Sequence, residues 1–163
     1  MLRIIRSVGE LNFYGLMQIY EESNQAHARE DYPGCDDGLL QVQMDVYAYL
    51  RDVFFRISGA KCCVWEENGR AVCALRLEPY QDGLLLTALE THPEFRRKGF
   101  AKKLITAVLE TVNEPVYSHI SRGNFASIAV HGQCGFVKRK DTAVLLDGTV
   151  TAKMDTYVKV GDQ

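Results

Sequence analysis

Between an apolar segment at residues 84–89 and an amphipathic one at 104–112 the chain reads Glu90-Thr91-His92-Pro93-Glu94-Phe95-Arg96-Arg97-Lys98-Gly99-Phe100-Ala101. The periods predict a strand, a short glycine-containing turn and the start of a helix. Arg96, Arg97, Lys98, Lys102 and Lys103 crowd that helix start. It is the positive end of the helix dipole, where an exposed cation costs about 0.3–1 kcal/mol. The unpaired N–H groups of a first helical turn already suit an anion. A phosphate-bearing ligand would turn this misplacement of charge into a binding site. Without one, the cluster is a solvated basic helix start.

Two further places carry chemistry. Asn124, Ser127 and His131 are spaced i, i+3 and i+7 and share one helix face, just ahead of Gly135-Phe136. Asn124 suits a helix N-cap. An imidazole titrates near pH 6.5, so His131 is a candidate proton donor, and equally a packed histidine. At the end of the strand before the turn, Glu90 is the titratable side chain, since Leu85, Thr87 and Leu89 offer none. It is a candidate general base, or an outward-facing strand carboxylate.

The chain around these residues is 163 long, enough to bury a sizeable core as one domain, 1–163. A formal net charge of −2 argues against general nucleic-acid binding. No run approaches the roughly 18 apolar residues of a membrane span. Residues 1–6 are too short and too charged for a secretory core. Five cysteines, an odd number without regular spacing, suggest no disulfide framework, and no Cys-x-x-Cys or His-x-x-x-His pair offers a metal site. Cys62, Cys63 and Cys73 fall in apolar runs and read as reduced core residues. The expected compartment is the cytoplasm.

The element order that positions the candidate residues follows from period and punctuation. Residues 2–5 are a first strand, 11–20 and 39–55 are helices, and 21–38 is a polar, acidic break. Strands at 62–66 and 71–77 flank the hairpin signal Asn68-Gly69, and Gln81-Asp82-Gly83 turns the chain into the strand ending at Thr91. Leu104, Ile105, Val108, Leu109 and Val112 mark the crossover helix. The strand at 116–120 is then parallel to the one before it. A short helix at 124–133 and two long strands, 136–146 and 149–160 around Asp147-Gly148, close the chain.

Arg96-x-x-Gly99-x-Ala101 resembles the pyrophosphate-binding loop (Arg or Gln, x, x, Gly, x, Gly or Ala) of the GNAT superfamily of acetyl-coenzyme A-dependent N-acetyltransferases, and 92–95 is similar to its usual lead-in. Asn124, Ser127, His131 and Gly135-Phe136 resemble the next segment of that family, with His131 where Tyr is usual. The resemblance implies an α/β (α+β) GNAT fold: a mixed central sheet of about seven strands, about four helices, and a splay between strands 4 and 5 that admits the pantetheine arm.

It also implies roles. Backbone N–H groups of 97–101 would cradle the pyrophosphate, with Arg96, Arg97, Lys98, Gly99, Phe100, Ala101 and Lys102 around it. The backbone of Thr91 would polarise the carbonyl, and Asn124 and Ser127 would contact the cofactor. His131 would be the general acid and Glu90 the base. The implied reaction is direct acetyl transfer from acetyl-coenzyme A to a primary amine, with no metal, in a monomer or homodimer. Acceptors in the family are gripped by the first two helices, their connection and the final hairpin. Here the connection holds His27, Glu30, Asp31, Tyr32, Asp36 and Asp37. Such an acidic segment would steer a cationic small-molecule or peptide amine, or is simply solvated. With His131 replacing Tyr, an acyl-coenzyme A sensor without turnover is the alternative. No Gly-x-x-x-x-Gly-Lys-Ser/Thr or Gly-x-Gly-x-x-Gly supports a nucleotide-binding reading.

Overall fold

The computed structural model of the protein describes residues 1–161, so the last two residues of the expected domain lie outside the described residues. Strand β1 (Leu2–Ile5) is followed by helices α1 (Phe13–Ile19), α2 (Glu21–Asp31) and α3 (Gly38–Asp52). Then comes an antiparallel meander, β2 (Lys61–Glu67), β3 (Arg70–Tyr80) and β4 (Gly83–Thr91). Helix α4 (Phe100–Leu109) crosses to β5 (Val116–Ser121), and α5 (Phe125–Gln133) leads to β6 (Val137–Lys140). The chain ends with β7 (Ala143–Val144), β8 (Val150–Thr151) and β9 (Met154–Lys159). Seven strands form one mixed sheet in the order β1-β2-β3-β4-β5-β9-β6, and β7 and β8 form a separate ribbon.

This is the mixed α/β architecture expected from the sequence, with two differences in detail. The segment read as a polar break contains α2. Its sequence EESNQAHARED has no apolar stripe, and Asn24 is its one buried residue, so helical period leaves no mark there. Glu21 and Glu22 in its first turn and Arg29 in its last complement the helix dipole instead. The two long closing strands are each interrupted. Asp147-Gly148 does turn between β7 and β8, with the Thr149 N–H donating to Asp147 Oδ1 at 2.8 Å. The chain bends away after Lys140, where Asp141 reaches back to Lys138 at 2.6 Å, and β6 pairs with β9 in a shifted register.

Both faces of the sheet are covered. On one, α4 presents Leu104, Ile105 and Val108, all fully buried against Val72, Leu75 and Leu86. Each such side chain contributes about 1.5–3 kcal/mol on burial. On the other, Leu16 and Ile19 of α1, Leu50 of α3 and Phe54 just after it pack on Cys62, Val64 and Ala74. All five cysteines are free. Burial pushes the Cys62 thiol up to about 12 and those of Cys63 and Cys73 to about 11, which suppresses their reactive thiolate form.

The sheet is parallel at one junction, and there it opens. β4 and β5 pair only through Leu84–Val116, Leu85–Tyr117 and Leu86–Ser118. Their closed end is held by very near backbone approach. The Leu84 N–H donates to the Pro115 carbonyl at 2.9 Å, and a Cβ on Gly83 would lie 2.0 Å from that same oxygen.

At the other end β4 bulges. Arg76 pairs with Thr87 and Ala74 with Glu90, so Ala88 and Leu89 together oppose Leu75. Ala88 takes the left-handed conformation, φ 52°. Leu84, Leu86 and Leu89 all face α4. Strict alternation would have put Glu90, not Leu89, on the face of Leu84 and Leu86. The extra residue therefore turns Glu90 to the side of the first three helices.

Gly83→Ala is expected to destabilise the protein by about 2 kcal/mol or more, since backbone must move to admit the methyl group. An unchanged urea midpoint would show that the closed end of the splay does not depend on this contact.

Candidate functional site

The opening between β4 and β5 continues into a cleft of about 860 Å³. It runs from Glu90 and Thr91, past the basic turn, to the first turns of α5. Thr91 ends β4, with its hydroxyl donating to Cys73 Sγ at 3.3 Å and its carbonyl accepting from Arg96 Nε at 3.3 Å.

The turn itself is built from two left-handed residues. Arg97 has φ 59° and Gly99 has φ 80°. Gly99 takes this geometry freely, whereas the same conformation at Arg97 costs about 1–2 kcal/mol. Gly99 is the N-cap of α4, and the first intrahelical bond is from the Lys103 N–H to the Gly99 carbonyl, 3.0 Å. The N–H groups just before Lys103 have no carbonyl one turn back and remain open to a ligand.

The cations around this end divide into two kinds. Arg96 is engaged: it pairs with Glu22 of α2 at 2.6 Å. Lys98 lies with Nζ 5.0 Å from the centre of the Phe95 ring, and Lys103 at 5.0 Å from that of Phe100. Neither lines the cleft. Arg97 and Lys102 line it and make no ion pair among the described residues. Two unpaired cations and a row of free N–H groups converge on one cavity, an arrangement that fits a pyrophosphate. Gly99, Phe100 and Ala101 complete that wall.

On the opposite wall Asn124 caps α5, its side chain accepting from the Ser127 N–H at 3.1 Å. Asn124 and Ser127 both line the cleft. His131 does not. It is 1% exposed and packs edge-on against Phe136, with ring centres 4.9 Å apart. Its Nδ1 lies 2.8 Å from the Ser127 carbonyl oxygen and 3.2 Å from the Ser127 hydroxyl, and its Nε2 is buried without a hydrogen-bond partner. The short contact to a carbonyl places the proton on Nδ1. Burial lowers the imidazole pKa, against the opposing effect of the Ser127 carbonyl.

A second cavity, of about 570 Å³, lies between α2, α3 and the sheet. It meets the cleft at Ser23 and Glu90, which line both. Its floor is apolar, with Leu16, Val42 and Leu50, and its rim carries His27, Asp31 and Asp45. Burial raises the Glu90 pKa, with the neighbouring Ser23 hydroxyl and the Arg96 guanidinium pulling the other way. Tyr20 donates from its hydroxyl to the Ala88 carbonyl at 2.5 Å and so holds the bulge from the helix side.

Ser23, Tyr20 and Arg76 of this cavity escape sequence reasoning. For Arg76 a signal exists, a lone cation within the apolar strand Ala71-Val72-Cys73-Ala74-Leu75-Arg76-Leu77. Among the described residues, no group of three or more His, Cys, Asp or Glu is placed to hold a metal ion, and no helix is long and apolar enough to cross a membrane.

Solved structures share this architecture. The chain superposes on the PaiA N-acetyltransferase of Thermoplasma acidophilum, solved with coenzyme A, at TM-score 0.67 and 13% identity over 98% of this chain and 99% of that one. A GNAT-family acetyltransferase of Streptococcus agalactiae gives 0.65 and 15% over 99% and 96%. The ribosomal-protein-S18-alanine N-acetyltransferase of Escherichia coli gives 0.57 and 14% over 97% and 91%. At these identities the likeness is one of fold. No curated protein matches the chain in sequence. The sequence of residues 16–136 matches the acetyltransferase (GNAT) family, which takes in the splayed strands, the basic turn and the capped helix α5. By that match over most of its length, the chain belongs to the GNAT acetyltransferase family.

Proposed function

We propose that the protein transfers an acetyl group from acetyl-coenzyme A to a primary amine of a small-molecule or peptide acceptor, by direct attack with both substrates bound. The observation that supports this most is that a phosphate-suited cleft and a separate, acid-rimmed cavity meet at one half-buried carboxylate, Glu90. Coenzyme A supplies an activated thioester carbonyl. The chain's part is to anchor, orient and move protons.

Arg97 and Lys102, with the N–H groups of 97–101, bind the pyrophosphate. Arg96, Lys98, Gly99 and Phe100 shape that end. Thr91, Asn124 and Ser127 line the narrower stretch between the walls, and the Thr91 backbone N–H is the group assigned to the carbonyl oxygen. Glu90 receives the amine proton at the junction. Its raised pKa brings it nearer the operating pH of a general base. Asp31 and Asp45 at the rim attract a cationic amine. Five free cysteines agree with a reducing, cytoplasmic setting.

His131 is the least supported of the assigned roles. A proton donor to sulfur must carry a proton at the donating atom, and burial holds this ring neutral with Nε2 unprotonated. We assign it instead to positioning α5, through Ser127. On this reading His131→Phe keeps turnover within about tenfold. Abolished turnover with unchanged coenzyme A affinity would restore the acid role.

The deciding experiment is coenzyme A release with a panel of primary amines. Turnover with at least one is expected. Tight coenzyme A binding with no turnover on any amine would favour an acyl-coenzyme A sensor. Reversing Arg97 and Lys102 together to Glu should weaken coenzyme A binding at least about tenfold, because charge-assisted bonds to the phosphates are lost. Lys98→Glu should do far less, and equal effects would mean a diffuse field rather than a defined anchor.

Glu90→Gln should lower kcat about a hundredfold or more with coenzyme A affinity unchanged. In the wild type the rate should fall as pH drops through the Glu90 pKa. Because that pKa is raised, the fall begins above the ordinary glutamate range. A profile unaltered in Glu90→Gln would remove Glu90 as the base.

A further inference from the structure

Arg76 stands in the acceptor cavity with its charge unspent. It lies on β3, and of the residues lining that cavity it is the only Lys or Arg. Its guanidinium sits 5.3 Å from the centre of the Tyr49 ring and 5.6 Å from that of Phe54. The rings fix its position without using its N–H edges. It makes no ion pair and no side-chain hydrogen bond among the described residues. Glu78, two residues along the same strand, is 4% exposed and does not line the cavity; burial pushes its carboxyl toward the neutral form, with the Arg76 charge pulling the other way, and no ion pair joins the two. A half-buried, pre-oriented guanidinium with open donors is a receptor for a planar or tetrahedral oxyanion.

The position relative to Glu90 gives the scale. Glu90 pairs with Ala74, two residues before Arg76 on the neighbouring strand. Two residues span about 7 Å along a strand, and adjacent strands lie about 4.8 Å apart. One small molecule can therefore reach both side chains. The apolar floor of Leu16, Val42 and Leu50 lies in the same cavity.

We propose that the acceptor is an amine that also carries an oxyanion, a carboxylate or a phosphate, held by Arg76 while its amine lies at Ser23 and Glu90. This rests on the acetyl-transfer reading above and narrows its acceptor from any amine to amines with both charges. The rim acids Asp31 and Asp45 then draw in the ammonium end, and Arg76 orients the molecule once inside. No covalent step is added: Arg76 binds and orients.

The test compares four acceptor types: amino carboxylates, their methyl esters, aminoalkyl phosphates and diamines. In the wild type, kcat/KM for an oxyanion-bearing amine is expected to exceed that of its ester or of a diamine by about tenfold or more. Preference for carboxylate or for phosphate separates the two oxyanions. Arg76→Met keeps an apolar stem against Tyr49 and Phe54 and should abolish that preference through KM. Coenzyme A affinity should stay unchanged, and kcat/KM for the methyl ester should fall far less than that for the amino carboxylate. Arg76→Lys, which keeps the charge but loses the fork, should fall between.

Calorimetric binding of the same amines to the coenzyme A-loaded protein reads the preference without turnover, so failure of acetyl transfer does not hide it. Esters or diamines used as well as oxyanion-bearing amines would overturn the inference and leave acetyl transfer standing. So would an equal loss in Arg76→Met for all four types. Binding of amino carboxylates with no transfer would instead overturn the catalytic reading and keep the Arg76 site.

Discussion

One bulge in β4 governs the rest of the site. Ala88 and Leu89 together face Leu75, and three things follow from that extra residue. Hydrogen bonding to β5 stops at Leu86, so the sheet parts there. Leu89 stays with the α4 core, and Glu90 turns to the helical side. The two cavities then share an edge. The left-handed alanine that makes the bulge costs of order 1–3 kcal/mol and persists only if its surroundings over-determine it. Here the Tyr20 hydroxyl grips its carbonyl from one side, and the paired meander holds the strand from the other. Strain in the strand is therefore tied to the packing of the first helix pair, and the edge shared by the two cavities is held by a residue that sits between those helices.

The electrostatic pattern has a similar economy. Of the cations at the start of α4, some are absorbed by the fold, Arg96 by Glu22 and Lys98 by the Phe95 ring. Arg97 and Lys102 line the cleft without an ion pair among the described residues, and Arg96 lines it already paired. In the second cavity Arg76 lies over the Tyr49 and Phe54 rings and makes no ion pair among the described residues.

How much of this a reader of the sequence alone can see depends on whether a residue's role is local. The turn is local: the motif residues Arg96, Gly99 and Ala101 carry their backbone and charge requirements in a few consecutive positions, and all three line the cleft. The Asn68-Gly69 hairpin, with φ values of 51° and 76°, is local too. Helix α2 stays hidden because only Asn24 of its residues is buried, so no apolar period betrays it. The bulge stays hidden because alanine gives no sign of positive φ, and the pairing that forces it lies on another strand. His131 shows the opposite hazard. Its spacing from Asn124 and Ser127 is right for a shared helix face, yet that face rolls into the core at its C-terminal end, where Phe136 waits.

The order of the sheet also has a temporal side. β9, the last strand in the chain, lies between β5 and β6, which precede it. β6 has no other partner in the sheet. As the chain leaves the ribosome, the meander β2–β4 can close from neighbouring residues, whereas β5 cannot gain β9 beside it until residue 159 has emerged. Until then the outer edge of β5 stands bare, a hydrogen-bonding template open to any passing strand.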